Sequence, residues 1–189
     1  MATSDPGETG VRVPLAIEPR SDTLPQRIWW GSATRQSAQW AGEQGLHLLS
    51  STLLSEDTGV PFAQLQAEQI GLFREAWERA GHGGTPRVAV VRSILPIVSE
   101  RDRALFGASA AHGSREHVGI LNGAVSRFGR SFIGELDAVA EDLSKDEAAH
   151  AADTLLVTIP NLLGVAENLR LLDNIAEYVA PVLDWSRSR

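Results

Sequence analysis

The sequence predicts an α/β fold built on a parallel sheet. Four apolar runs of strand length are each followed by a segment of helical periodicity. The runs are near-continuously apolar rather than alternating, as befits strands buried on both faces. Glycine, proline and hydroxyl residues separate runs from periodic segments, where turns and caps belong. Strand followed by helix, four times over, implies parallel pairing through right-handed crossovers. An open doubly wound sheet and a section of a (βα)8 barrel both satisfy this pattern, and periodicity does not choose between them.

Residues 1–26 come first, with Pro6, Pro14, Pro19, Pro25, Gly7 and Gly10. Proline fixes φ, removes a donor and restrains the residue before it, so an extended leader or inter-element loop is expected here. The domain then runs over 27–189. Its first strand is Arg27-Ile-Trp-Trp-Gly31, aromatic and β-prone. Ser32 or Thr34 caps the next helix, where Ala33, Ser37, Trp40, Ala41 and Gln44 share a stripe before Gly45 stops it. Leu46 to Thr52 is the second strand, ending in three hydroxyl residues. Pro61 stands where a first helical residue belongs, and Leu65, Leu72, Phe73, Ala76 and Ala80 recur at helical spacing as far as Gly81. Val88 to Val98 reads as a buried strand.

Residues 99–130 are rich in charge, Gly and Ser without a clean period, and short helices are expected there. Gly134 marks a turn into the helix carried by Leu136, Val139, Ala140 and Leu143. Asp153 to Ile159 is the fourth strand. Val165, Leu169, Leu172, Ile175, Ala176 and Val179 mark the closing helix before Pro181.

Composition narrows the function. Of 189 residues, 43% are hydrophobic, enough to bury a core, and 17 basic against 24 acidic residues give a net charge of −7. That balance offers no basic surface for phosphates, so nucleic acid is not an expected partner. The absence of cysteine removes disulfides, thiolate nucleophiles and cysteine-ligated metals. No apolar run approaches the ~18 residues of a membrane span, and the N-terminus lacks signal-peptide character. A cytoplasmic protein without a membrane partner is expected.

Five segments resemble one family in the same order: Arg27-Ile-Trp-Trp-Gly-Ser-Ala-Thr-Arg35, Gln39-Trp-Ala-Gly-Glu-Gln-Gly45, Leu48-Leu-Ser-Ser-Thr52, Arg130-Ser-Phe-Ile-Gly-Glu135 and Thr158-Ile-Pro-Asn-Leu-Leu-Gly164. They look like the second half of the bacterial-luciferase-like, flavin-dependent monooxygenases. The resemblance implies a partial (βα)8 TIM barrel of about four βα units, since a whole barrel takes about 250 residues. It further implies FMN as cofactor, with deazaflavin the alternative, a small organic substrate and a separate flavin reductase. A non-catalytic flavin-binding or subunit-interaction protein of the same descent is the other reading. A half barrel leaves two sheet edges and an inner face uncovered. Four inward side chains each losing about 100 Å² of burial forfeit roughly 10 kcal/mol, against a domain stability of about 5–15 kcal/mol. A homodimer or a complementing chain is therefore expected.

Barrel ligands sit at the C-terminal ends of strands. Gly31-Ser32-Ala33-Thr34-Arg35 leads into a helix N-terminus, whose free N–H groups and positive dipole suit a phosphate; the same residues read equally as a simple helix cap. The resemblance implies that Ser32, Thr34 and neighbouring backbone N–H groups contact the FMN phosphate, with Arg35 adding charge. Ser50, Ser51 and Thr52 end the second strand, facing the flavin or making ordinary strand-end hydrogen bonds. Arg92 inside an apolar strand requires an anionic partner or access to water, and faces the flavin edge, a phosphate or a substrate acid group, or pairs with a structural Glu or Asp. Asn161 lies at the mouth end of the last strand, as a donor or a turn residue. Of the histidines, His82 and His150 are expected at the surface and His47 in a structural role. His112 and His117 lack the spacing of helical zinc ligands, and no metal site is expected. No catalytic residue is assigned, which flavin chemistry tolerates because the cofactor performs the difficult step.

Overall fold

The computed structural model describes residue 21 and residues 23–183. Nearly all of the leader lies outside the described residues, and Pro25–Arg27 forms one 3-10 turn. The chain then runs β1 (Trp29–Ser32), α1 (Arg35–Glu43), β2 (His47–Ser50), β3 (Leu53–Leu54), α2 (Phe62–Ala80) and β4 (Val88–Ile97). It continues as α3 (Glu100–Gly113), β5 (His117–Leu121), β6 (Ala124–Phe128), β7 (Ser131–Glu135), α4 (Leu136–Ser144), α5 (Glu147–Ala151), β8 (Thr154–Thr158) and α6 (Val165–Asn174). A π-helical turn, Ile175–Val179, and a 3-10 turn, Ala180–Leu183, prolong α6.

β1, β2, β4 and β8 pair side by side, all parallel, in the order expected of consecutive barrel strands. Trp29 pairs with His47, Leu48 with Val88, and Ala89 with Thr154. The fold is α/β, a partial βα barrel. A fifth parallel strand was not expected: β7 pairs with the far half of β4, Ser93 to Ile97, beyond the end of β2. Gly134 accordingly lies inside β7 instead of forming a turn, and Glu135 precedes the first residue of α4.

Residues 99–130 also depart from expectation. They hold a fourteen-residue helix, α3, and an antiparallel hairpin, β5–β6, joined to β3 as a second small sheet. α3 starts where Ser99 accepts from the Asp102 N–H. The hairpin turns at Asn122-Gly123, both at positive φ (50° and 80°), the geometry a two-residue hairpin loop demands.

Two apolar clusters form the core. One joins Ala38 and Ala41 of α1, Ile70, Phe73 and Trp77 of α2, and Ala148 and Ala149 of α5 to Leu48, Val88 and Val90 of the sheet. The other gathers Val139, Leu143, Leu171, Ile175 and Val179 around Ile94, Leu95 and Phe132. Strand side chains alternate between faces. On the other face Gly31 and Leu156 are exposed and Leu49 and Val91 half-buried, and none of them belongs to either cluster. The helices thus cover one face of β1, β2 and β8 and leave open the face that lines the inside of a barrel.

Candidate functional site at the strand ends

β1 ends at Ser32, and Thr34, in extended conformation (φ −140°, ψ 156°), opens α1. The Thr34 hydroxyl accepts from the Ser37 N–H at 3.1 Å, capping the helix. Ser32 is buried, and its hydroxyl donates to the Thr34 carbonyl at 2.9 Å. Both hydroxyls hold the turn. The first helical N–H, that of Arg35, donates to the Glu56 carboxylate at 3.0 Å, and Arg35 Nε lies 3.4 Å from the same group. Gln69 Nε2 approaches Glu56 at 3.4 Å, and the Ser55 N–H donates to the Ala33 carbonyl at 2.9 Å, tying the Glu56 loop to the turn. The positive end of α1 therefore holds an anion, and that anion is the chain's own carboxylate. Glu56 lies 21 positions beyond Arg35, and no spacing signal links the two.

Gly31 is exposed on the open face beside this turn, where a Cβ would meet nothing within 4 Å. Ser51 is half-buried, its hydroxyl accepting from the Leu53 N–H and its carbonyl from Gln66 Nε2. Ser50 and Arg92 belong to the opposite face. The Ser50 hydroxyl, fully buried, accepts from Gln66 of α2 at 2.8 Å. Arg92, 3% exposed, forks onto Asp146, with Nε at 2.6 Å and Nη2 at 2.8 Å, so among the partners expected for it a structural carboxylate is the one it meets. Asp146 also caps α5 through the Ala149 N–H. Asn161 is exposed in the turn after β8. Gly31 to Arg35 and Ser51 thus gather at one end of the sheet, and Ser50 and Arg92 support it from behind.

The open face presents Gly31, Leu49, Val91, Ser93, Leu156 and Thr158 toward the strand ends, none of them titratable. His47 sits at the far end of the sheet, buried. Its ring packs between Trp29 (5.1 Å) and Trp77 (6.1 Å), and its Nδ1 accepts from the Arg87 N–H. A cavity of about 600 Å³ opens there, lined by His47, His82, Trp77 and Arg87 among others. Burial pushes the His47 pKa below 6.5 and the Arg87 charge adds to this, against the opposing pull of the Gln26 carbonyl and Asp153.

A lowered histidine pKa means that the unfolded chain binds the proton more tightly. Stability from neutral His47 is complete above about pH 6.5 and is lost as pH falls through that window. Urea unfolding at pH 7.5 and 5.5 is expected to show this loss, and His47→Gln to flatten it. Equal slopes in both proteins would assign the pH dependence elsewhere.

Asp102 titrates lower. Burial raises its pKa, but the Ser99 hydroxyl, Arg170 and the Val98 N–H together hold it below the ordinary aspartate value. Among the described residues no group of three or more His, Asp or Glu is placed to hold a metal, and no helix is long and apolar enough to cross a membrane.

No protein-family model matches the chain, and no curated protein matches it significantly. Solved structures do. The crystal structure of the monooxygenase RslO1 from Streptomyces bottropensis superposes with a TM-score of 0.51 at 18% identity, over 82% of this chain and 47% of that one. The crystal structure of apo-MsnO8 superposes with a TM-score of 0.52 at 16% identity, over 92% of this chain and 55% of that one. The chain spans about half the length of these neighbours.

Proposed function

We propose that this chain is one half of a flavin-dependent monooxygenase barrel, acting with reduced FMN and oxygen on a small organic substrate. The observation that carries the reading is the α1 N-terminus, set at the strand ends beside an open apolar face and already engaged with a carboxylate. RslO1, a monooxygenase, has the same half-fold, which supports the reading. The donor set fits an anionic cofactor tail provided that Glu56 gives way. The Arg35 N–H and guanidinium, the Thr34 hydroxyl and the backbone at Gly31 and Ala33 would then hold the phosphate, while Gly31, Leu49 and Val91 leave room for the ring. When bound, reduced flavin supplies oxygen activation, and a deazaflavin would supply hydride transfer instead. The protein's part is to bind and orient, since the open face brings no acid or base to the strand ends. A flavin reductase is the proposed source of reduced cofactor.

Titration of FMN and riboflavin into the wild-type chain and its variants tests the cradle. Glu56→Gln is expected to tighten FMN about tenfold, or roughly 1.4 kcal/mol, and to leave riboflavin, which lacks the phosphate, unchanged. Gly31→Val places a side chain in open space on the inner face and is expected to weaken both ligands without loss of fold. Identical FMN affinity in wild type and Glu56→Gln would remove the cradle from the reading.

The same Glu56 contact favours a second reading, a non-catalytic flavin-binding or subunit-interaction protein whose cradle is kept closed. Flavin binding without substrate-dependent oxygen consumption would select it.

A further inference from the structure

The two edges of the parallel sheet carry complementary apolar features. At the β1 edge Trp30 and Trp40 pack with ring centroids 4.6 Å apart and planes tilted by 56°, and Trp30 Nε1 donates to the Ser37 hydroxyl. Both indoles keep about two-fifths of their surface exposed, 38% and 40%. At the β8 edge a groove of about 340 Å³ runs between the strand and the α6 segment, lined by Leu155, Val157, Leu172, Ile175, Ala176 and Val179. The register puts Trp30, Leu48, Val88, Val90, Leu155 and Val157 on one face, so the indole pair and the groove lie on the same, helix-covered side. Among the described residues, β1 and β8 each pair on one side only.

We propose that a second copy of this chain closes the half-ring, with Trp30 and Trp40 of each protomer seated in the β8–α6 groove of the other. A two-fold axis parallel to the strands places β1 of one copy beside β8 of the other, parallel and on both seams. Four ring strands become eight, the number at which side chains fill a barrel interior. Both free edges are removed by the same operation. Tryptophan set in a desolvated apolar pocket is the residue type that dominates interface energies. Antiparallel pairing of β1 with its own copy would leave both grooves empty. The inference rests on the strand order and the two edges, and stands apart from the cofactor reading.

Light scattering on the wild-type chain is expected to give twice the 20.4 kDa chain mass. Trp40→Lys and Leu172→Glu alter partly exposed helix positions. Each is expected to keep the far-UV circular dichroism of the wild type and to weaken self-association at least about tenfold. Mixing the two variants is expected to restore the dimer. The mixed pair keeps one native seam, and its other seam sets the introduced ammonium of one copy against the introduced carboxylate of the other. Exposed Gln36 and Leu169 provide a second readout, because the chain has no cysteine of its own. A short bismaleimide is expected to link copies carrying both Gln36→Cys and Leu169→Cys, and not copies carrying Gln36→Cys alone. A monomeric wild type, a dimer indifferent to both charge variants, a mixture that stays monomeric, or linking by Gln36→Cys alone would each overturn the proposal.

Discussion

Asp146→Ala is expected to destabilise the fold by about 3–5 kcal/mol, the cost of leaving one member of a buried ion pair without its partner. Arg92 enters from β4 with 3% of its surface exposed, and both carboxylate oxygens of Asp146 meet its fork. Removing the carboxylate leaves the buried guanidinium only its bond to the Val91 carbonyl, and also removes the cap on the Ala149 N–H. Against a total of about 5–15 kcal/mol, the loss is a large share. In urea, where small proteins lose about 1–3 kcal/mol per molar, the midpoint is expected to fall by roughly 2 M. The double variant Arg92→Met with Asp146→Leu separates pairing from packing. With no charge left to strand, it is expected to recover most of the stability. A double variant as unstable as Asp146→Ala would mean that the site is held by shape and not by the pair.

The second large effect is expected at Gly42, where α1 crosses α2. A Cβ built there falls 2.3 Å from the Phe73 carbonyl oxygen and 3.0 Å from both the Trp77 nitrogen and the Ala76 Cβ. Within an isolated helix, alanine would be favoured over glycine by about 1 kcal/mol. Here the obstacle is backbone, which does not swing aside, and overpacking of this kind costs about 1–3 kcal/mol or more. Gly42→Ala is therefore expected to lower the melting temperature by several degrees, at about 2–4 °C per kcal/mol for a chain of this length. A rise in melting temperature would show that α1 slides off α2 at no cost. Gly71, with nothing within 4 Å of its Cβ on exposed α2 surface, supplies the control in which alanine stabilises.

The alternation of strand and helix was legible because it follows from local pattern: Trp29 to Ser32, His47 to Ser50, Val88 to Ile97 and Thr154 to Thr158 are all short apolar runs ended by turn or hydroxyl residues. The hairpin was hidden by composition, although Ile120-Leu121-Asn122-Gly123-Ala124-Val125 carries the two-residue turn signal in plain form. α3 shows little stripe because few of its residues are buried, Phe106 and Asp102 among them.

The candidate site was legible in position more than in orientation. A strand covered on one side by helices and on the other by a barrel interior is apolar on both, so nothing in Leu49-Ser50-Ser51 or Val91-Arg92-Ser93 marks which side chain turns inward. Ser50 and Arg92 consequently face the helices. Glu56 and Asp146 were invisible because each meets its partner across a long stretch of chain, 21 residues in one case and 54 in the other.

β4 is stitched on both sides and belongs to both cores: Val88 and Val90 to one, Ile94 and Leu95 to the other. If β8 peels away, Ser93 to Ile97 stay bonded to β7, and if β7 peels away, Val88 to Val90 stay bonded to β2. Partial openings therefore never bare the whole strand. The strand as a whole is freed only when the entire molecule comes apart, so the slowest of its amides to trade protons for deuterons are expected to report the global opening equilibrium while its neighbours report local ones.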